Sequence, residues 1–158
     1  MSTRSCHTIG IDARAASEVP AGRGRVVREL LRALATREQD DHRYVLYARD
    51  AWREQSLDER FSWQLIDSRD PWWHVRAARA ANRECDVFLS SNSYLTTAFT
   101  RIPTVPIVYD MVTFEPSMRP NRRSTVIERL TLGAAVRRST SLVAISQATA
   151  DALGARFP

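Results

Sequence analysis

The sequence predicts an α/β fold, a mostly parallel sheet with helices on both faces. Three observations predict it. Short runs of β-branched and apolar residues recur along the chain. Segments with helical apolar spacing separate most of them, and the runs are continuously apolar rather than alternating, as strands buried on both faces are. With 158 residues, 44% hydrophobic and 26% charged, residues 1–158 are expected to form one compact domain, and disorder, collagen-like repeats and disulfide scaffolds are excluded.

His7 to Ala13 predicts the first strand, and the Pro- and Gly-containing stretch Ser17 to Gly24 a loop. From Arg25, Val26, Val27, Leu30, Leu31 and Leu34 recur at helical spacing, so an amphipathic helix follows. Arg43 to Arg49 and Phe61 to Asp67 predict two strands separated by a polar segment. Asp70 before Pro71 is a helix-start signal, an N-cap followed by proline, for the Ala-rich helix Trp72 to Glu84. Brief buried strands are expected at Asp86–Ser90 and Thr104–Asp110, with a Pro-punctuated loop reaching Pro120. Asn121 caps a long helix to about Arg138, Ser141–Ile145 is the last strand, and Ser146 caps a final helix. The expected order is β-α-β-β-α-β-β-α-β-α.

Basic residues outnumber acidic ones, 23 to 18, for a formal charge of +5. Every one of those cations is arginine, on core-facing and exposed segments alike, which marks a compositional bias rather than a nucleic-acid site. Cys6 and Cys85 belong to no CxxC motif, which fits a reduced, cytoplasmic setting. His7, His42 and His74 lack any metal-ligand spacing, so no metal site is expected. The apolar stretch Thr8–Ile11 ends at Asp12, too short for a signal-peptide core.

In open parallel sheets ligands bind beyond the carboxyl ends of the strands, near the switch in strand order. That rule selects Arg14 to Arg25, Arg49 and Asp50, Ser91 to Tyr94, Tyr109 to Glu115, and Ser146. Pro20-Ala21-Gly22-Arg23-Gly24-Arg25 joins the first strand to a helix N-terminus, where glycines let backbone N–H groups approach an anion and the helix dipole favours it. It is not the dinucleotide fingerprint, because Val27 stands where a third glycine belongs and the turn from Asp12 is too long. Asp110, at a strand end, can accept hydrogen bonds from sugar hydroxyls or cap the following turn. Trp72, Arg76, Arg79 and Arg83 fall within about one-sixth of a helical turn, a stripe that is either a solvated face or a contact for anionic lipid head groups.

Together these segments resemble the N-terminal domain of family 4 glycosyltransferases, retaining GT-B enzymes that move a sugar from a nucleotide-sugar donor to an acceptor. Ile9–Arg14 resembles that family's opening strand, and Ala21-Gly22-Arg23-Gly24-Arg25-Val26 its G-x-G-R loop. Pro106–Met111 with Glu115-Pro116 is similar to its strand ending in His-Asp, with Tyr109 standing where many members carry histidine. Leu142–Thr149 resembles its strand-serine-helix element. The resemblance implies a Rossmann-like fold, the N-terminal half of GT-B, with a C-terminal donor-binding domain expected beyond Pro158. It implies catalytic roles for Asp110, Tyr109 and Arg25, a donor-phosphate loop at Gly22, Arg23 and Gly24, and an acceptor site of Arg14, Ser91, Asn92, Tyr94, Glu115 and Ser146. The implied co-substrate is a nucleotide sugar, with no cofactor and no essential metal. The implied acceptor is a glycan, a lipid or another group, and contact with the inner membrane face would run through Trp72, Arg76, Arg79 and Arg83. Two other readings remain: a stand-alone α/β binding module or subunit of a split transferase, and a nucleic-acid-binding protein resting on net charge alone.

Overall fold

A computed structural model describes residues 6–54, 56–111 and 122–157, with backbone alone for 122–128. Six parallel strands form one sheet in the order β3-β2-β1-β4-β5-β6, where β1 is Thr8–Asp12, β2 Arg43–Ala48, β3 Phe61–Leu65, β4 Val87–Ser90, β5 Thr104–Val108 and β6 Val143–Ala144. Helices α1 (Arg14–Glu18), α2 (Arg23–Ala35), α3 (Trp72–Glu84) and α4 (Arg122–Arg138) lie in the connections, with a 3-10 turn at Thr96–Ala98, and α5 (Gln147–Arg156) follows the last strand. This is a Rossmann-like α/β fold. The order reverses between β1 and β4, the switch point at which such sheets leave a crevice.

Alternation along the strands sends neighbouring residues into opposite cores. Ile11 and Leu46 join Val27 and Leu31 of α2 on one face, while Tyr47 and Phe88 join Trp73, Ala77 and Ala81 of α3 on the other. Val108, Leu132 and Leu153 fill a third cluster under β5. All of the first ten are fully buried, which is why the strands read as apolar throughout.

Three elements differ from the sequence expectation, each for a local reason. The loop after the first strand contains α1, because Arg14–Glu18 carries two helix-forming alanines and the Val19 N–H closes on the Ala15 carbonyl at 3.1 Å. Asp70 does not cap α3. Its carboxylate accepts from Arg14 and Arg49 instead, at 3.2 and 2.9 Å, while the N–H groups of Trp73 and His74 are satisfied by the carbonyls of Arg69 and Pro71. Two guanidinium donors outbid a backbone N–H for that oxygen. The last strand pairs only over Val143–Ala144. Ser146 does cap α5, accepting from the Thr149 N–H at 3.2 Å. The expected Asn121 cap, the loop containing Glu115, Pro116 and Arg119, and the side chains of Arg122 and Arg123 lie outside the described residues.

The first turn of α2 is fixed by two glycines. Gly22 adopts φ +56°, a left-handed conformation that favours glycine. Gly24 is buried against the end of α1, where a Cβ would lie 1.7 Å from the Val19 carbonyl oxygen. The substitution Gly24→Ala therefore has to displace backbone, and we expect it to cost at least about 3 kcal/mol or abolish folding. Gly154→Ala, in open space within α5, should instead stabilise by about 0.5–1 kcal/mol. Urea denaturation of both variants checks the pair.

Candidate active-site pocket

The carboxyl ends of β1, β4 and β5 meet the N-terminus of α2 around a pocket of about 200 Å³ lined by Arg23, Asn92, Tyr94, Ile107, Tyr109 and Asp110. Asn92 and Tyr94 follow β4, Ile107 lies within β5, Tyr109 and Asp110 follow it, and Arg23 opens α2. The lining is held by main-chain acceptors. The Tyr109 hydroxyl donates to the Ser91 carbonyl at 2.8 Å, and the Arg23 guanidinium donates to the Asn92 carbonyl at 3.0 Å. Thr149 of α5 reaches the Tyr109 carbonyl at 3.4 Å. Burial pushes the Tyr109 phenol up to about 12, with Arg23 opposing and Asp12 adding to the rise, so at neutral pH it is a protonated donor.

Beneath this pocket lies a charged cluster that motif reading missed. Asp12 is fully buried and Arg14 is 3% exposed. The guanidinium grips both carboxylate oxygens of Asp12 at 3.3 Å through Nε and Nη2, and extends Nη1 to Asp70 at 3.2 Å. Its plane covers the Trp73 ring, 3.7 Å from the centroid. Arg49 ties the same Asp70 oxygen to Glu18 of α1, at 2.9 Å on each side. Burial pushes the Asp12 carboxyl up and the Arg14 guanidinium opposes it. His74 completes the cluster, its Nδ1 2.7 Å from the Thr96 hydroxyl and its Nε2 3.5 Å from Asp70. Burial, joined by the nearby charge of Arg14, lowers His74 to about 4, so the ring is neutral at pH 7. A signal for the cluster was present in the Asp12-Ala13-Arg14 run, two opposite charges at the end of an apolar strand.

The expected site residues do not all meet at one place. Arg23, Asn92, Tyr94, Tyr109 and Asp110 line one pocket. Gly22 and Arg25 are exposed at the start of α2, whereas the Gly24 N–H is spent on the Ala21 carbonyl at 3.2 Å. Arg14 and Ser91 lie buried below, the Ser91 hydroxyl donating to the Asp12 carbonyl and the Arg14 donors engaged as described. Ser146 is exposed and uses its oxygen as the α5 cap. Glu115 lies outside the described residues. Among the described residues no group of three His, Cys, Asp or Glu side chains could hold a metal ion, and no helix is long and apolar enough to cross a membrane.

No protein-family model and no curated protein matches the sequence. Among solved structures the chain is similar to a wide-type short-chain dehydrogenase/reductase from Veillonella parvula DSM 2008 in complex with NADP. The TM-score is 0.52 at 13% identity, covering 88% of this chain and 67% of that chain. The likeness is one of fold.

Arg14→Met leaves Asp12 without its partner in the interior and should cost about 3–5 kcal/mol in chemical denaturation. The folded-state pKa of His74, about 4, lies below its ordinary value of 6.5, so between these values the unfolded chain binds the extra proton. Its stability contribution is complete above pH 6.5 and is lost as pH falls toward 4. Asp12, raised by burial, works with the opposite sign. The difference between wild type and His74→Gln isolates the histidine: the variant should show the shallower loss of stability between pH 6.5 and 4, read from urea midpoints across that range.

Proposed function

We propose that this chain is the acceptor-side, Rossmann-like domain of a retaining glycosyltransferase that takes its sugar from a nucleotide-sugar donor. One observation carries the reading. Five of the polar residues that the family resemblance implies, Arg23, Asn92, Tyr94, Tyr109 and Asp110, converge on a single pocket at the switch point of the sheet. At about 200 Å³ it is smaller than the roughly 300–1,000 Å³ of drug-sized sites, a scale suited to one small polar ring. A carboxylate, an amide, two phenols and a guanidinium supply the donors and acceptors that a hydroxyl-rich ligand needs.

The chemistry asked of the chain is the stabilisation of a departing nucleoside diphosphate. The exposed guanidinium of Arg25 and the N-terminus of α2 are suited to hold that charge as it develops. Asp110 and Tyr109 would orient the reacting sugars. A second, nucleotide-binding domain would supply the remaining donor contacts.

Dinucleotide binding, the property of the similar dehydrogenase, is not our reading. The connection from β1 to α2 contains the extra helix α1, Val27 is fully buried where a third glycine belongs, and Gly24 is already closed against Val19. A partner-binding module would call for an apolar patch beside Gly22; in the described loop and first turn of α2, Val26 alone is a large exposed hydrophobic residue.

The test is a transfer assay on the complete gene product with a panel of UDP- and GDP-sugars, reading both turnover and the anomeric configuration of the product. The reading expects transfer with retention, a fall in kcat/KM of at least about tenfold for Asp110→Asn, and a KM for the donor raised by Arg25→Gln. Inversion of configuration, or turnover indifferent to both substitutions, contradicts it. The 158-residue chain alone is expected to give no turnover.

A further inference from the structure

A wider groove, of about 760 Å³, runs between α3 and the segment after the 3-10 turn, lined by Trp72, Val75, Arg79, Arg83, Phe99 and Arg101. Asn82 joins its two walls, donating from Nδ2 to the Phe99 carbonyl at 3.2 Å and accepting from the Arg101 N–H at 2.7 Å. That clamp holds Phe99 and Arg101 alongside the helix. The arginine stripe expected from the sequence is changed by it: Arg76 turns away to donate to the Asp67 carbonyl at 3.1 Å, and Arg101 joins from a distant part of the chain.

We infer that this groove docks the protein on a bilayer surface rich in anionic phosphate head groups. Charge and shape together favour that occupant. Arg79, Arg83 and Arg101 are exposed, and no described carboxylate or carbonyl holds their guanidinium groups, in contrast to Arg14, Arg28, Arg49 and Arg60, which are engaged by several oxygens each. In the same lining Trp72 is 67% exposed and Phe99 41%, with the aliphatic Val75. An indole and a phenyl at the level of head groups, flanked by guanidinium groups that donate to phosphate oxygens in pairs, is the composition of an interfacial contact. Each basic residue near an anionic membrane contributes about a fivefold gain in binding, so three together dominate the contact. This surface shares no residue with the pocket at the strand ends, and its docking role does not depend on what that pocket binds.

Co-sedimentation of the full chain with phosphatidylcholine vesicles, with and without phosphatidylglycerol, tests the inference. Binding should require phosphatidylglycerol. It should fall at least about tenfold in the triple variant Arg79→Gln/Arg83→Gln/Arg101→Gln and also weaken in Trp72→Ser. An equal loss of net charge in Arg43→Gln/Arg53→Gln/Arg137→Gln, also at exposed positions, should leave binding within about twofold. Circular dichroism establishes that each variant is folded before it is compared. The inference is overturned by equal binding to neutral vesicles, by no binding to either, by an equal loss in the control triple, or by tighter binding of a single-stranded oligonucleotide at the same salt concentration.

Discussion

The Arg14 guanidinium is the contact on which the rest of this architecture depends. It neutralises a carboxylate that β1 carries into the interior, covers the face of Trp73 at the start of α3, and reaches Asp70 in the connection from β3. Two stretches of chain, 56 residues apart between Arg14 and Asp70, thus share one cation. Arginine suits the position where lysine would not, because a planar fork can pair with a carboxylate and stack on an indole at once. Trp73 serves through its face: its Nε1 has no hydrogen-bond partner among the described residues. The same constraint explains why Asp70 gives up the α3 cap, since Arg14 and Arg49 both claim its Oδ1.

The pocket inherits its rigidity from that cluster. The Asp12 carbonyl accepts the Ser91 hydroxyl, the Ser91 carbonyl accepts the Tyr109 hydroxyl, and the Tyr109 carbonyl accepts from Thr149. This chain of contacts ties β1 to the residues after β4 and β5 and to α5, through main-chain acceptors that do not depend on side-chain rotamers. A phenol held in this way presents one edge to the pocket in a fixed orientation. Arg23, Asn92, Tyr94 and Asp110 complete the lining. Preorganisation of this kind is what a site for weakly distinguished hydroxyl groups requires.

Much of this was legible in the sequence because apolar periodicity is set by burial. The order of strands and helices, α1 apart, and the Ser146 cap follow from local patterns that tertiary contacts did not override. Elements that depend on distant partners were not legible. Asp70 carried a cap signal that only the approach of two remote arginines could cancel. Arg101 and Phe99 lie outside any helical stripe and join Trp72 only because Asn82 clamps their segment. Gly24 read as room for a ligand, whereas its missing side chain makes room for the Val19 carbonyl. The pocket residues were found through the strand-end rule, which is itself a statement about topology; the same rule reached Arg14, but not its pairing with the buried carboxylate of Asp12.

In the proposed reading the pocket and the start of α2 form one site for phosphate and sugar groups. The measurement that decides it is amide NMR of the chain titrated with inorganic pyrophosphate. Shifts should appear at Gly22 to Arg25, Asn92, Tyr109 and Asp110, whether or not the arginines along α3 also respond. Shifts confined to Trp72 to Arg83, or no shift at the strand ends at millimolar pyrophosphate, would contradict it.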